Sequence, residues 1–405
     1  MKILLLSALY PPLVVGGAEK VAKVIADGLL AAGHEPVVVT TVPEPGVRTS
    51  TVDGVRVHAI GLKNLYWPHG ERPASPLRKS AWHAINSFNP WMARAVGKIL
   101  HAERPDVVNT HSLIGLSCAV WPAVQGRRIP LVHTIHDYSL LCPKATMFAN
   151  GRNCSGQCTS CKMYSQPAKM LSGGIRAVVG VSRRVLDRHL HNGYFAQAAT
   201  RVIHNGLPPA TEPAPPRTGG RMPLRLGYVG QLVPPKGIAD LLATMRRWTS
   251  AECQLVVAGK GPSGYERELR GLAPHNVRFL GFVDPREVYG SVDVLVVPSL
   301  WEDPLPTIVI EAYMQGLPVI AARRGGLPEL VEHGRTGLLY DPDVPDALAG
   351  CIGAFLDDPE LPAQMTPAIQ RKARYLGVDR MRAEYLEVLT QSVERAPCTD
   401  RRRWT

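Results

Sequence analysis

Two kinds of segment alternate along nearly the whole chain, and this alternation constrains the fold more than any other feature. Short apolar runs typical of buried strands are followed by longer stretches in which apolar residues recur at the helical period. The predicted strands are residues 2–8, 36–42, 55–60, 106–110, 131–135, 177–181, 201–204, 224–229, 253–258, 277–280, 293–297, 318–322 and 337–340. Such alternation predicts α/β architecture with doubly wound parallel sheets.

A stretch rich in proline and glycine, residues 206–220, interrupts the alternation. It can form neither a helix nor a central strand, because proline lacks the backbone donor that both require. We therefore predict two Rossmann-like domains facing a central cleft, and 405 residues are enough for both. The predicted divisions are an N-terminal domain (1–206), a linker (207–223), a C-terminal domain (224–380), and a C-terminal helix and tail (381–405) that crosses back.

The chain is basic, with 46 lysine and arginine residues against 34 acidic residues and a formal net charge of +12. This balance suits anionic partners such as nucleoside diphosphates, a phospholipid surface or nucleic acid, with a diffusely charged solvated surface as the alternative. No nucleic-acid motif accompanies the charge, so we expect no nucleic-acid partner. The apolar run after Lys2 is too short for a signal peptide, and we expect a cytoplasmic protein.

Three tryptophans are interleaved with basic residues between residues 62 and 98. They either form a surface that docks on anionic lipid at the inner face of the plasma membrane or pack within a long insertion. The residues concerned are Trp67, Trp82, Trp91, Arg72, Arg78, Lys79 and Arg94.

Residues 298–312 carry the most informative local pattern. A strand at 294–297 runs into a proline-rich loop that opens a helix, and Asp303 and Glu311 bracket the helix start with seven residues between them. A carboxylate at this sheet edge can accept both hydroxyls of a ribose or sugar, and a helix N-terminus can hold phosphate. The alternative is a helix cap with a solvated charge.

Two further features are compatible with an anion site, and a third, His136, lies at the same sheet edge. Gly16 and Gly17 follow the first strand, and their backbone can approach a phosphate closely, although a tight turn without a ligand has the same sequence. Lys236 can supply a point charge to a diphosphate, or be a surface lysine. His136 follows the strand at 131–135 at the same sheet edge, where histidines are also often structural.

An ordered set of landmarks resembles the retaining glycosyltransferases of family 4, which have the GT-B fold. The landmarks are Tyr10 to Pro12 with Gly16 and Gly17, His136 with Asp137, Val181 with Ser182, Asn205 with Gly206, residues 230–237 and 258–261, Asp303 to Glu311, and residues 334–339. The resemblance implies a nucleotide sugar bound mainly by the C-terminal domain.

For the donor, the resemblance implies that Glu311 holds the nucleotide ribose. It implies that Asp303, where the family usually has glutamate, lies near the sugar hydroxyls, with Glu302 as the alternative. His136 would line the donor sugar and stabilise the charged transition state. Lys236 would bind the diphosphate.

The sequence departs from the family pattern at Gln231, which stands where the family has an arginine on the diphosphate. Arg323 or Arg324 would compensate for that missing charge. Glu19 either contacts the acceptor or caps the first helix, and Asp137 orients its loop. The resemblance implies retention by same-face attack, without a covalent nucleophile and without a catalytic divalent metal.

Four cysteines are clustered in one loop, residues 142–161. Cys142, Cys154, Cys158 and Cys161 have a spacing compatible with a tetrahedral structural zinc site. An iron–sulfur cluster is less favoured, and four reduced thiols in a mobile loop are the alternative.

We therefore predict an enzyme, a hexosyl-transferring glycosyltransferase. It would move a sugar from a nucleoside-diphosphate sugar to a glycan or lipid-linked acceptor in cell-envelope polysaccharide, exopolysaccharide or glycolipid synthesis. A GT-B-related nucleotide-sugar epimerase is the second hypothesis. A basic nucleic-acid-binding protein is the third.

Overall fold

A computed structural model describes residues 1–13, 16–70, 74–209 and 222–394 of the chain. The chain divides into two compact units, each built on its own parallel sheet. The strands are β1 (Lys2–Leu6), β2 (Glu35–Val42), β3 (Val47–Val52), β4 (Val55–Gly61), β5 (Val107–Thr110), β6 (Leu131–Ile135), β7 (Phe148–Ala149), β8 (Arg152–Asn153), β9 (Ala177–Gly180), β10 (Ala199–Val202), β11 (Leu224–Val229), β12 (Cys253–Ala258), β13 (Val277–Gly281), β14 (Val294–Val297), β15 (Val319–Ala322) and β16 (Gly337–Tyr340).

Helices connect most of these strands. They are α1 (Gly17–Ala31), α2 (Pro76–Ser87), α3 (Pro90–Glu103), α4 (Val120–Gln125), α5 (Thr159–Leu171), α6 (Arg183–His191), α7 (Ile238–Met245), α8 (Ser263–Leu272), α9 (Pro285–Ser291), α10 (Thr307–Met314), α11 (Leu327–Leu330), α12 (Ala347–Asp357), α13 (Leu361–Tyr375) and α14 (Val378–Glu394). In α1, the buried residues Val21, Ile25 and Leu29 recur at the helical period, as expected for a helix that covers a sheet.

Unit 1 contains an eight-stranded sheet in the order β10-β9-β6-β5-β1-β2-β4-β3. All neighbouring strands are parallel except β3 and β4, which are antiparallel. The sequence did not reveal β3, because it is an exposed edge strand without an apolar run. The central strand β1 is buried on both faces, as parallel sheets covered by helices require.

Unit 2 contains a six-stranded parallel sheet in the order β13-β12-β11-β14-β15-β16. All thirteen strands predicted from the sequence are present, each within two residues of its predicted ends. The predicted fold class, with two doubly wound parallel-sheet α/β domains, is confirmed.

The division between the units differs from a single cut at the linker. Unit 1 comprises Met1–Ala145, Gln157–His204 and the chain from Asp379, whereas unit 2 comprises Thr146–Gly156 and Asn205–Val378. The sequence predicts that the whole cysteine-rich loop 142–161 belongs to the N-terminal domain. In the structure, residues 146–156 of this loop group with unit 2 instead. Its middle part forms the hairpin β7–β8, whose two-residue strands are too short to show a periodic pattern in the sequence. Most of the predicted linker, residues 210–221, and the tail 395–405 lie outside the described residues.

Candidate active site

The candidate site of unit 2 lies where the strand order reverses. The chain begins this sheet at β11, adds β12 and β13 on one side, and then places β14 on the other side of β11. The carboxyl ends of β11 and β14 are therefore neighbours, and doubly wound sheets bind ligands at such a point. Lys236 lies in the loop after β11, in a 3₁₀ turn formed by Pro234–Lys236, and Asp303 lies in the loop after β14.

Lys236 and Asp303 form an ion pair at this point. The Nζ atom of Lys236 lies 2.5 Å from Oδ2 of Asp303 and 5.4 Å from the centre of the Trp301 ring. The Asp303 side chain is 8% exposed and that of Lys236 is 24% exposed. The structure thus brings together a cation and a carboxylate that the sequence separates by 67 residues.

Backbone contacts hold the two loops against each other. The amide of Leu300 donates to the carbonyl of Pro235 at 2.9 Å. Gly237 has a φ of +70°, and a Cβ atom there would collide with the carbonyl of Pro298. Gly325 has a φ of +56°, and its Cβ atom would collide with the backbone of Asp303. Only glycine satisfies both the positive φ and the close approach at these two positions.

Glu311 lies on α10, and a buried tyrosine fixes its carboxylate. The hydroxyl of Tyr289 donates to Oε2 of Glu311 at 2.8 Å. Burial, reinforced by the neighbouring Glu311 charge, raises the pKa of Tyr289, so this hydroxyl remains a donor. Tyr289 was missed in the sequence, because nothing in a single tyrosine on a short helix predicts a partner 22 residues away.

The other predicted residues of unit 2 differ in what they contact. Oε2 of Glu302 accepts the amide of Gly325 at 2.7 Å, so Glu302 fixes a loop and Asp303 faces Lys236. Gln231 is exposed after β11. Arg324 forms an ion pair with Asp343 at 2.6 Å, whereas Arg323 is exposed and has no side-chain hydrogen bond or ion pair among the described residues.

In unit 1, the turn after β1 is held by a helix cap. Oε2 of Glu19 accepts the amide of Gly16 at 2.9 Å, and Glu19 is 8% exposed. This contact supports the capping alternative for Glu19. Gly16 has extended backbone and precedes α1, which begins at Gly17.

Two histidines meet at the carboxyl edge of the unit 1 sheet. His111 follows β5 and His136 follows the neighbouring strand β6, and Nδ1 of His111 lies 2.9 Å from Nε2 of His136. Burial lowers the pKa of His136 to about 4. Burial and the neighbouring His136 also lower the pKa of His111 well below its ordinary value, so both rings are neutral at physiological pH.

The hydrogen-bond pattern assigns a tautomer to this pair. His111 is 1% exposed and its Nε2 has no hydrogen-bond partner among the described residues. A proton on that atom would be a buried unsatisfied donor, so the favoured arrangement has Nδ1–H of His111 donating to Nε2 of His136. His136 then carries its own proton on Nδ1. This role for His111 was not predicted from the sequence. The adjacent Asp137 accepts the amide of Ser139 at 2.7 Å, as expected for a residue that orients its loop.

Three of the four clustered cysteines, Cys142, Cys158 and Cys161, belong to unit 1. Burial and the neighbouring thiols of Cys158 and Cys142 raise the pKa of Cys161. Cys154 belongs to the segment that groups with unit 2. No group of three or more His, Cys, Asp or Glu side chains in the described chain is arranged to hold a metal ion. The structural zinc thus stays a prediction for Cys142, Cys154, Cys158 and Cys161.

The tryptophan-rich region is partly core and partly surface. Trp82 is 3% exposed and its Nε1–H donates to the carbonyl of Tyr66, so it is a packing residue. Trp67 is half-buried, whereas Trp91 is 60% exposed. Arg78, Lys79 and Arg94 are exposed, and Arg72 lies outside the described residues. No described helix combines the length and the apolar character needed to span a bilayer.

Comparisons with known proteins identify the family. Two family models match the chain, Glycosyltransferase Family 4 over residues 15–211 and Glycosyl transferases group 1 over residues 223–358. An uncharacterized 42.6 kDa protein in the cps region of Klebsiella pneumoniae is 30% identical over 332 residues, which cover 82% of this chain and 87% of that protein. The chain belongs to glycosyltransferase family 4.

Further relatives of this family 4 glycosyltransferase agree with the assignment. Glycogen synthase from Mycobacterium tuberculosis is 29% identical over 394 residues, which cover 92% of this chain and 89% of that enzyme. Sucrose-phosphate synthase from Thermosynechococcus elongatus has a TM-score of 0.74 at 21% identity and covers 96% of this chain and 98% of its own. Anabaena HepE, solved with UDP and glucose, has a TM-score of 0.70 at 22% identity and covers 96% and 99%. The fold is GT-B, and the protein is a transferase.

Proposed function

We propose that this family 4 glycosyltransferase moves a hexosyl group from a nucleoside-diphosphate sugar to a hydroxyl of a glycan or lipid-linked acceptor. The observation that carries the proposal is the pairing of Lys236 with Asp303 at the point where the strand order of unit 2 reverses, on the same loop–helix segment as Glu311. A cation for the diphosphate and two carboxylates for sugar and ribose hydroxyls are the groups that such a donor requires.

The pair suggests how donor binding prepares the site. In the structure, Lys236 neutralises the buried Asp303 carboxylate. When the diphosphate of a donor arrives, we propose that Lys236 moves to the phosphate oxygens and releases Asp303 to accept hydrogen bonds from the sugar. Charge on the carboxylate is then compensated by new donors rather than exposed without a partner. Arg323 supplies the diphosphate with the positive charge that the family's arginine would provide at position 231, where this chain has glutamine.

We propose that transfer proceeds with retention of the anomeric configuration. As the bond between the anomeric carbon and the diphosphate oxygen lengthens, the acceptor hydroxyl attacks from the same face and its proton passes to the departing phosphate. Lys236 stabilises the developing negative charge, and neutral His136 donates a hydrogen bond through Nδ1–H near the sugar. The proposal requires neither a covalent nucleophile nor a divalent metal. An inverted product in NMR, or activity abolished by EDTA and restored by magnesium, would contradict it.

The acceptor is proposed to belong to cell-envelope polysaccharide, exopolysaccharide or glycolipid synthesis. The relative in the cps region of Klebsiella pneumoniae supports this setting. A lipid-linked acceptor would require the enzyme to approach an anionic membrane from the cytoplasmic side.

Exposed apolar residues of unit 1 support such an approach. Leu77 on α2 is 85% exposed, and Met163 and Met170 on the adjacent α5 are 64% and 73% exposed. Basic residues accompany them, and the sequence between Asp137 and Asp187 contains no acidic residue. Apolar side chains with a local excess of positive charge suit an anionic bilayer.

Vesicle flotation tests the membrane proposal. The enzyme is expected to float with vesicles that contain phosphatidylglycerol and to remain behind with pure phosphatidylcholine. Leu77→Ser combined with Met163→Ser should weaken flotation. Phe282→Ser, at an apolar residue of unit 2 that is 76% exposed, is the matched control. Equal flotation of the double variant and the wild type would contradict the proposed surface.

A donor screen tests the main proposal. Thermal unfolding is measured with UDP-, GDP-, ADP- and dTDP-sugars, because a ligand bound only by the folded state raises the melting temperature. The stabilising donor is then incubated with candidate acceptors, and the product is identified by NMR. Glu311→Gln and Lys236→Ala should each abolish most of the transfer. Release of an epimerised sugar without an acceptor would instead favour the epimerase hypothesis.

A further inference from the structure

A short hairpin from the first half of the sequence belongs to unit 2. Strands β7 and β8 are antiparallel, with Phe148 opposite Asn153 and Ala149 opposite Arg152. They are joined by a two-residue turn in which Asn150 and Gly151 have φ values of +52° and +74°. An Asn-Gly pair with two positive φ angles is the favoured connection of a tight hairpin, so the sequence specifies this turn locally.

The Asn153 side chain, at the end of this hairpin, hydrogen-bonds to the backbone of the loop between β14 and α10, residues 298–306, which we call the donor loop. Nδ2 of Asn153 donates to the carbonyl of Leu300 at 2.8 Å, and Oδ1 of Asn153 accepts the amide of Glu302 at 2.9 Å. The two bonds span one residue, Trp301. They assign the amide orientation without ambiguity, because only Nδ2 can face a carbonyl and only Oδ1 can face an N–H.

The segment bound by Asn153, residues 300–302, contacts the groups that the proposed chemistry uses. Trp301 lies under the Lys236 ammonium group, and its carbonyl accepts the amide of Asp303 at 2.8 Å. On its other side, the amide of Leu300 donates to the carbonyl of Pro235, next to Lys236. A shift of residues 300–302 would therefore move both members of the Lys236–Asp303 pair.

We propose that Asn153 is a positioning residue for sugar transfer, which fixes the donor loop so that Lys236 and Asp303 meet the diphosphate and the sugar. This inference rests on the proposed function. Asn153 acts through the backbone at Leu300 and Glu302 and touches neither substrate. Its exchange should therefore affect the step in which the sugar and diphosphate separate, and leave the nucleoside contact at Glu311 in place.

The two hydrogen bonds of Asn153, one donated and one accepted, explain why asparagine is required at this position. A carboxylate at position 153 would keep the bond from the Glu302 amide but would face the Leu300 carbonyl with a second acceptor, which is repulsive. Glutamine has both groups but a longer stem, so its amide cannot occupy the same place without moving the hairpin. Alanine leaves one donor and one acceptor of the loop to water.

The experiment compares Asn153→Ala and Asn153→Asp with Ser155→Ala, a matched change at an exposed residue of the same segment. Both Asn153 variants are expected to lower kcat by about tenfold to a hundredfold, the loss typical of a small displacement of catalytic groups. The dissociation constant of the best ligand among UMP, GMP, AMP and dTMP should change by less than about threefold, because the Asn153 variants remove no hydrogen bond to the nucleoside. Ser155→Ala should match the wild type in both measurements.

A double-mutant cycle separates positioning from general destabilisation. If Asn153 acts through the pair, Asn153→Ala should have little further effect on kcat in the Asp303→Asn background. An additive loss, or a kcat unchanged in both Asn153 variants, would overturn the inference. The proposed function fails separately if Lys236→Ala and Glu311→Gln leave transfer unchanged. Should Asn153→Ala not fold, the isosteric Asn153→Asp variant decides the matter by the same measurements.

Discussion

The ammonium group of Lys236 lies 2.5 Å from the carboxylate of Asp303, and the two side chains are unequally buried. Asp303 is nearly enclosed, whereas Lys236 retains access to water. Removal of one partner therefore has different consequences for the two residues, because an unpaired charge costs more where solvent cannot reach it. The two single variants should therefore differ in the free energy of unfolding even where they lose the same activity.

We expect Lys236→Ala to lower the free energy of unfolding by about 1–2 kcal/mol, because the Asp303 carboxylate stays buried without its partner. Asp303→Asn should change it by less than about 1 kcal/mol, because Lys236 can turn to water. Both should lower kcat on the order of a hundredfold. Urea unfolding and steady-state kinetics measure the two effects. Equal destabilisation by both variants would contradict the asymmetry.

Tyr289→Phe removes the hydroxyl that holds Glu311. We expect nucleotide affinity to fall about three- to tenfold, the value of one hydrogen bond that orients a binding carboxylate. Calorimetric titration with the preferred nucleoside diphosphate measures the change. Tyr313→Phe is the matched control, since the hydroxyl of Tyr313 on α10 contacts Thr336 at 2.9 Å instead of Glu311. The same loss of affinity in both variants would assign the effect to packing.

His111→Phe keeps an aromatic ring beside His136 but removes its hydrogen-bond donor. We expect kcat to fall about tenfold, because His136 is no longer held in the tautomer that presents Nδ1–H. The rate of the wild type should not titrate with His136 between pH 6 and 8, since burial lowers the pKa of His136 to about 4. His101→Phe, at the exposed end of α3, is the control. An unchanged kcat for His111→Phe would exclude the positioning role.

Stability should fall as the pH drops from about 6.5 toward 4. Burial lowers the pKa values of His111, His133, His136 and His189, the last two to about 4. The unfolded chain therefore binds protons in this window while the folded protein does not, so each imidazole removes about 1.4 kcal/mol per pH unit. Urea unfolding at pH 7, 6 and 5 measures the slope. A flat profile across this range would contradict four buried neutral rings.

The cysteine prediction is tested by metal analysis of gently purified protein. About one zinc ion per chain would support a structural site, and a content below ~0.2 would count against it. Single Cys→Ser changes at Cys142, Cys154, Cys158 and Cys161 should then each release the metal. Cys253→Ser, at a buried cysteine of β12, is the control for an unrelated thiol.

The sequence predicted the elements whose signals are local and repeated. Most strands of the two sheets are apolar or alternating runs between turn residues, and so the fold class followed from the order of these runs. Asp303 and Glu311 could be predicted as site residues because both lie within one loop and the helix that follows it. For Glu19 and Trp82 the sequence allows two alternatives each, because burial decides between them and burial is a tertiary property.

The missed features all depend on contacts between distant segments. Tyr289 reaches Glu311, His111 reaches His136, and Asn153 reaches Leu300 across 147 residues. Each partner is an ordinary residue in its own neighbourhood, and only the folded backbone brings it to the site. The assignment of residues 146–156 to unit 2 follows from the same kind of contact and has no signature in the local sequence.

Because the hairpin β7–β8 belongs to unit 2, the order of synthesis and the choice of a truncation point both affect the donor loop. Asn153 leaves the ribosome well before Leu300. Its hydrogen bonds to the donor loop can therefore form only after the second half of the chain has been synthesised. A gene cut at the proline-rich stretch would yield a C-terminal fragment whose donor loop lacks two of its hydrogen bonds. Such a fragment would keep all six strands of its sheet and yet present Trp301 and Asp303 on an untethered turn.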